Sequence, residues 1–321
     1  MSRQMVMVSL EELVPADHVY RRFTQLWNFD LVKKHLKPVE KDNNYKGYGI
    51  LRLFKCLLLQ FMEDLSDREL ERYLQENNAS KWFCDFGLTE IVPNFTVFTK
   101  ARARIGTKKL SKIFSELRDQ LKTQGCMNEI FTFVDASHLI SKSNLWKERD
   151  KAIKQKYDKL NNEVLPKVAH DKQAKIGCKG KDKYWYGYKK HASVDMQSGL
   201  INKVAVTAAN VTDAKGTKHV CPGQGAIYAD KGYCTKHARQ AAAKNNCYLA
   251  AIKKNNMKGK NKDKDRWYSK IRSPYERVFS QQNKRVRYCG VAKNQFAAFM
   301  EAICFNLKRL TVLDPPNLVL A

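Results

Sequence analysis

What the chain lacks narrows it first. Its longest apolar run, residues 56–62 (CLLLQFM), is broken by Gln60 and follows Arg52 and Lys55. A bilayer-spanning helix needs roughly 20 apolar residues, so none is expected. No Cys-x-x-Cys pair occurs: the nine cysteines, at 56, 84, 126, 178, 221, 234, 247, 289 and 304, are odd in number and scattered. That pattern fits reduced thiols and argues against a disulfide framework or a zinc ribbon. A Gly-rich phosphate loop and a Gly-x-Ser-x-Gly elbow are both missing, which leaves a nucleotide-driven motor and a serine hydrolase unsupported. The opening stretch, MSRQMVMVSLEELVPADH, carries Glu11 and Glu12 where a signal peptide would be apolar, so an intracellular protein is expected. Negative charge is scarce too. Against 59 Lys and Arg there are 32 Asp and Glu, a net +27, and such a balance calls for a polyanionic partner, most commonly nucleic acid.

What is present is enough for a folded protein. The 321 residues, 43% of them hydrophobic, suggest about two domains, each with its own core. The positive excess is concentrated: residues 142–191 carry net +9 and residues 253–293 net +11, whereas residues 1–141 carry only +3. Each strip alone reads equally well as a solvated face. Together, and interleaved with Trp146, Tyr157, Tyr184, Trp185, Tyr186, Tyr188, Trp267, Tyr268 and Tyr288, they favour a groove that follows phosphates and offers rings for stacking.

Periodicity splits the chain near residue 125. Before it the pattern is helical: a largely buried helix over 50–62, a Ser66-Asp67-Arg68-Glu69 capping box opening a helix to about Glu76, and a face of Leu110, Ile113, Phe114, Leu117 and Leu121 ended by Gly125. The pair over 50–76 reads as ordinary helix packing or as a helix-turn-helix reader, and near-neutral charge favours the first. After it, strands are expected at 130–134, 184–194, 200–207, 226–229 and 248–252, the second and third joined as an antiparallel hairpin by DMQSG. Helices are expected after Thr212-Asp213, over 235–245, from Ser273-Pro274-Tyr275-Glu276 after a basic loop, and over 294–310. The fold class is therefore α/β (α+β): an all-helical domain over 1–125, then a mixed sheet with helices on both faces over 126–321, with a basic insertion at about 142–183.

Two strands end in acids, Val134-Asp135-Ala136-Ser137 and Ala229-Asp230-Lys231-Gly232, and sites gather at carboxyl ends of strands in open sheets. Of the acids further on, Asp263 and Asp265 fall in the Lys-rich loop, Asp314 in the Pro-rich tail and Glu301 deep in the last helix, which leaves Glu276. Each has an ordinary reading: a turn residue for either Asp, and for Glu276 the fourth position of a capping box begun by Ser273. Their common setting in the most basic part of the chain favours function. Carboxylates in a phosphate-binding groove repel substrate unless they hold cations, and Mg²⁺ takes such oxygen ligands. His138 and His191 read as polar strand-face residues, and Asp195 and Asp213 as turn and helix-cap residues. Lys189 and Lys190 are candidates for phosphate contact.

These residues resemble a known family, the bacterial insertion-sequence DDE transposases of the insertion sequence 5-like type, with a ribonuclease H-like catalytic core. The resemblance runs through LLLQFMEDLSDRELERYL, VPNFTVFTKARARIG, FTFVDASHL, YWYGYKKHASVDMQSGLI, VTAANVTDAKG, GAIYADKGY and YERVFSQQNKRVRYCGVAKNQFAAFMEAICFNLKRL. It implies Asp135, Asp230 and Glu276 as catalytic, metal-binding residues holding two Mg²⁺ or Mn²⁺ ions. Related transposases show Tyr-x2-Arg-x3-Glu-x6-Lys/Arg around the third acid; here Arg272 fits, while Tyr268 and Lys284 each stand one residue off. DNA contacts are expected from Lys189, Lys190, Lys231, Arg272, Arg277, Lys284, Arg285 and Arg287. The implied activity is binding of terminal inverted repeats by the helical domain, metal-dependent phosphodiester hydrolysis, and strand transfer into target double-stranded DNA. At least a dimer would synapse two ends, in the cytoplasm at the nucleoid and away from membranes. The rivals are a metal-dependent nuclease that cuts without joining and a non-catalytic DNA-binding derivative of a transposase.

Overall fold

The computed structural model describes residues 7–41, 47–141, 169–179, 183–280 and 283–313. Most of the expected basic insertion, with Trp146 and Tyr157, lies outside the described residues. Packing divides the chain into two compact units, one of Met1–Gln124 with Ile303–Ala321 and one of Gly125–Ala302.

The first unit is helical: α1 (Leu10–Leu13), α2 (Val19–Leu26), α3 (Asp30–Lys41), α4 (Ile50–Met62), α5 (Asp67–Glu76), α6 (Asn78–Phe83) and α7 (Phe95–Thr123). α4 is buried along almost its whole length, and even Lys55 lies inside, its ammonium 2.7 and 2.9 Å from the Asp85 carboxylate. The capping box that opens α5 forms as its sequence requires: Glu69 N–H donates to Ser66 Oγ and Ser66 N–H to Glu69 Oε2. α7 is longer than the Leu110–Leu121 face predicts and is broken at Gly106, whose φ of +65° and ψ of +164° no L side chain adopts comfortably.

Among its described residues the second unit has six strands: β1 (Phe131–Ile140), β2 (Lys175–Lys179), β3 (Lys183–Asp195), β4 (Ile201–Ala208), β5 (Ala226–Ala229) and β6 (Tyr248–Ala251). They run β2-β3-β1-β5-β6, with β4 also on β3. β1, β2 and β4 are antiparallel to β3, and β1, β5 and β6 are mutually parallel. β2 is a strand that the sequence reading lacks. β1 is also longer than expected, because antiparallel pairing with β3 carries it on to Ile140, opposite Gly187, so Asp135 is a mid-strand residue. Its parallel partner β5 reaches only to Ala229, which opens one side of β1 just where Asp135 stands.

Helices cover both faces. Strand neighbours point to opposite sides: Val134 packs with Ala214 and Val220 of α8 (Asp213–Val220) and with Ala238 and Ala242 of α9 (Lys236–Lys244). Phe133, on the other face, meets Tyr275 and Phe279, with ring centroids 6.5 and 5.5 Å apart. Gly216 of α8 lies directly over His191, where a Cβ would come within 2.2 Å of the ring. The expected basic loop contains a helix, α10 (Lys262–Arg272), capped by Asn261 Oδ1 accepting from Lys264 N–H at 2.9 Å, so Asp263 and Asp265 occupy its first turn. A 3₁₀ turn, Ser273–Tyr275, leads into α11 (Glu276–Ser280). The last helix, α12 (Val291–Leu313), differs from its assignment by sequence to the second domain: from Ile303 onward it belongs to the helical unit, where Leu307 and Leu310 are fully buried and Lys308 Nζ donates to Met62 O. No helix among the described residues is long and apolar enough to cross a membrane.

Candidate active site

Asp135 lies half-buried on the Phe133 side of β1, opposite Ala192 of β3. Its Oδ1 accepts the Ala136 N–H at 2.8 Å. Burial raises its pKa to about 6; the Ala136 hydrogen bond works against that, the Asp213 charge reinforces it, and Lys179 and Arg272 oppose it. The group is thus a carboxylate held in a dry position with its negative charge incompletely compensated.

Asp230 is the first residue beyond β5, extended at φ −73° and ψ 173°, and it leads into a 3₁₀ turn, Lys231–Tyr233. Its side chain makes no capping bond to that turn, so the carboxylate faces outward. Arg272, the last residue of α10, reaches it: Nη2 is 3.9 Å from Asp230 Oδ1 and 3.1 Å from Glu276 Oε1. The guanidinium is only 15% exposed while both carboxylates are about half exposed. Glu276 has taken this ion pair and not the capping box with Ser273, because Ser273 belongs to the turn that ends α10 and adopts helical angles itself. One cation thus draws on all three sequence-selected acids, by contact with two and by its field on the third.

A second, buried group joins them. The Tyr233 hydroxyl is buried, with no hydrogen-bond partner among the described residues, and its pKa is raised well above the ordinary value by burial and then by the charges of Asp135, Asp213 and Asp230. Asp213 was read from sequence as a helix-cap residue. It does open α8, yet its Oδ1 accepts from Lys189 Nζ at 2.8 Å and its charge reaches Asp135 and His191. Its place in VTAANVTDAKG, between the two selected Asp residues, was the only sequence sign of it.

The selected cations divide. Lys189 and Lys190 are corrected: they are 8% and 1% exposed, and Lys190 Nζ donates to Glu301 Oε2 at 2.6 Å. Adjacent residues of β3, they point to opposite faces, and each neutralises an acid of the helix packed there. Neither offers its ammonium to a surface phosphate. Lys231, Arg277, Lys284 and Arg285 are exposed, and Arg287 is half-buried. Residues 284–286 pair alongside the end of β1, Ile140 N–H donating to Lys284 O and Val286 N–H to Ile140 O, which sets Lys284 and Arg285 beside the strand that bears Asp135. His138 packs against Trp185, and the buried His191 shares a hydrogen bond with Thr207 Oγ1 at 2.9 Å, its pKa lowered by burial to about 4.

Among the described residues, no three His, Cys, Asp or Glu side chains stand close enough together to hold a metal ion. At the three acids the position between Asp230 and Glu276 is held by Arg272. Asp135, Asp230 and Glu276 offer oxygens only, the donor type that a hard divalent cation takes.

Two comparisons bear on this arrangement. A family model described as Transposase DDE domain matches residues 132–307, which include all three acids, and one described as Transposase domain (DUF772) matches residues 8–104. No solved structure matches the chain.

Proposed function

Because the chain belongs to the DDE transposases, we propose that Asp135, Asp230 and Glu276 are its metal-binding carboxylates, serving cleavage at the inverted repeats of its element and joining to target DNA. The observation that supports this reading is that Arg272 draws Asp230 and Glu276 together while β5 stops short of β1 where Asp135 stands. Mg²⁺ or Mn²⁺ bound there would supply a more acidic water and neutralise charge on the phosphate oxygens.

The chain's own residues account for the rest. Asp135, fixed by its place in β1, gives the site a carboxylate whose position does not depend on a loop. Asp230 and Glu276 bring the solvent-facing half of the donor set, each about half exposed. Lys231, Arg277, Lys284 and Arg285 offer exposed charge to the DNA backbone on either side. In the hydrolytic step water adds to phosphorus and the bond to the 3′ oxygen breaks, leaving a 3′-hydroxyl and a 5′-phosphate. In the joining step that hydroxyl attacks a target phosphodiester, one P–O bond forming as another breaks.

The test uses oligonucleotides copied from the DNA that brackets the gene, with Mg²⁺. Asp135→Asn, Asp230→Asn and Glu276→Gln should each lower cutting and joining by roughly a thousandfold or more while DNA binding persists. If Glu276→Gln cuts like the parent, the third ligand is misassigned and Asp213, whose charge acts on both Asp135 and Tyr233, becomes the acid to test. Cutting without joined product would support the nuclease reading.

A further inference from the structure

The sheet of the second unit ends at β6, which pairs with β5 alone among the described residues. Tyr248 N–H donates to Gly225 O and Ile252 N–H to Ala229 O. By the alternation of a strand, the N–H and C=O groups of Leu249 and Ala251 therefore face away from β5, along the free edge. Such an edge is a template for another strand, and β6, YLAA, carries none of the prolines or charges that commonly shield one.

A helix stands on either side of this edge. α9 packs Ala238 and Ala242 into the apolar layer that Leu249 and Ala251 join, and α10 brings Tyr268 to Tyr248, their hydroxyls 3.4 Å apart. Between them lies a cavity of about 590 Å³, lined by β6, by Arg239 of α9, and by Lys264 and Tyr268 of α10. The four residues of β6 extend about 13 Å, room for one short added strand.

Charge selects the occupant. Arg239 and Lys264 are exposed, and Lys253, two residues beyond β6, also lines the cavity. Against these cations stands one lining acid, Asp265. Its Oδ1 accepts the Lys253 N–H at 3.1 Å, whereas its buried Oδ2 has no hydrogen-bond partner among the described residues, with Lys260 Nζ 3.9 Å away. That oxygen suits an incoming N–H or O–H donor. A phosphate is a poor match, because it offers nothing to the outward C=O groups and is repelled by Asp265. An extended peptide supplies backbone donors and acceptors in the alternation that the edge requires. A second copy of this chain brings +27 of like charge.

We infer that the free edge of β6 takes an extended acidic segment of another protein, added as a strand against Leu249 and Ala251, with its carboxylates meeting Arg239 and Lys264. The inference asks nothing of the acids proposed as metal ligands.

The probe is a fluorescein-labelled peptide of about six residues alternating Glu and Val, the length of an ordinary strand. Its controls are the Lys–Val counterpart and the same Glu–Val peptide N-methylated at every amide. Fluorescence anisotropy with the full chain should show the Glu–Val peptide bound roughly tenfold more tightly than either control. Amide exchange at Leu249 and Ala251 should slow in that complex, while Ala250, whose N–H faces β5, changes little. Leu249→Pro removes an outward N–H without touching the β5 ladder and should lower binding more than tenfold, whereas Leu249→Ala keeps that N–H and most of the binding. Arg239→Glu combined with Lys264→Glu alters exposed side chains alone and should invert the preference in favour of the Lys–Val peptide. A parent that binds neither peptide, that binds the N-methylated one equally well, or that keeps full binding as Leu249→Pro would overturn the inference. Two further results would overturn it by assigning the edge elsewhere: duplex DNA that displaces the peptide and weakens with it in Leu249→Pro, or a parent dimer that Leu249→Pro dissociates.

Discussion

Arg272 is the residue on which the site turns. Its guanidinium lies 3.1 Å from Glu276 and 3.9 Å from Asp230, so a divalent ion bound there as proposed would have to compete with it for those oxygens. Arg272→Gln is expected to raise divalent-ion affinity, read by Tb³⁺ luminescence or calorimetry, by roughly tenfold, about 1.4 kcal/mol, while weakening DNA binding. Lower metal affinity in that variant would show that Arg272 builds the site instead of filling it. Asp135 supplies the pH dependence. Its pKa rises from 3.8 to about 6 on folding, so the folded state binds that proton more tightly than the unfolded one, and this group's contribution to stability grows as pH falls from about 6 toward 4. Above pH 6 the burial penalty is fully felt. Asp135→Asn should therefore raise stability at pH 7.5, by on the order of 3 kcal/mol and so with a higher melting temperature, and the gain should shrink by pH 4.5. A melting difference independent of pH would remove the account of this carboxyl.

At the level of elements, two joints carry separable costs. Lys190 on β3 and Glu301 on α12 form an ion pair with the ammonium 1% exposed. Removing one partner strands the other, so Lys190→Met is expected to cost about 3–5 kcal/mol in urea unfolding, and adding Glu301→Leu should recover most of it. A phosphate contact would behave otherwise, losing DNA affinity with stability unchanged. The second joint is Gly106, where α7 breaks. A Cβ there meets no atom within 4 Å, so only its backbone angles oppose a side chain. Gly106→Ala should destabilise the helical unit by about 1–3 kcal/mol, without the larger loss that a clash would bring.

For the molecule as a whole, the charge of +27 sets how DNA affinity responds to salt. The logarithm of the binding constant should fall by about 0.9 for each phosphate neutralised per tenfold rise in salt. Replacing the exposed pair Lys284 and Arg285 by Gln should lower that slope by close to two contacts, whereas Lys190→Met should not change it. A slope near zero for the parent protein would remove the argument for a polyanionic partner that the composition first raised.

Much of this was fixed by the order of the residues alone. Local rules placed the capping box at Ser66, the hairpin between β3 and β4, the short strand before Asp230 and the two-part division by period, because each depends on neighbours within about ten residues. Asp230 follows a strand and Glu276 opens a helix as the sequence predicts, whereas Asp135, expected at a strand end, stands in the middle of β1. What the sequence could not supply depends on contacts between distant segments. β1 runs on past Asp135 because β3 pairs with it, and β2 forms on the far part of β3, which no local pattern of KIGCK announces. Lys189 and Lys190 read as surface charge until α8 and α12 present an acid to each, and the helix hidden in the basic stretch at 262–272 brings Arg272 to Asp230, 42 positions earlier in the chain. Burial is a property of the packed sheet and its covering helices, so tertiary structure alone decides which charges are left in water and which must find a partner inside.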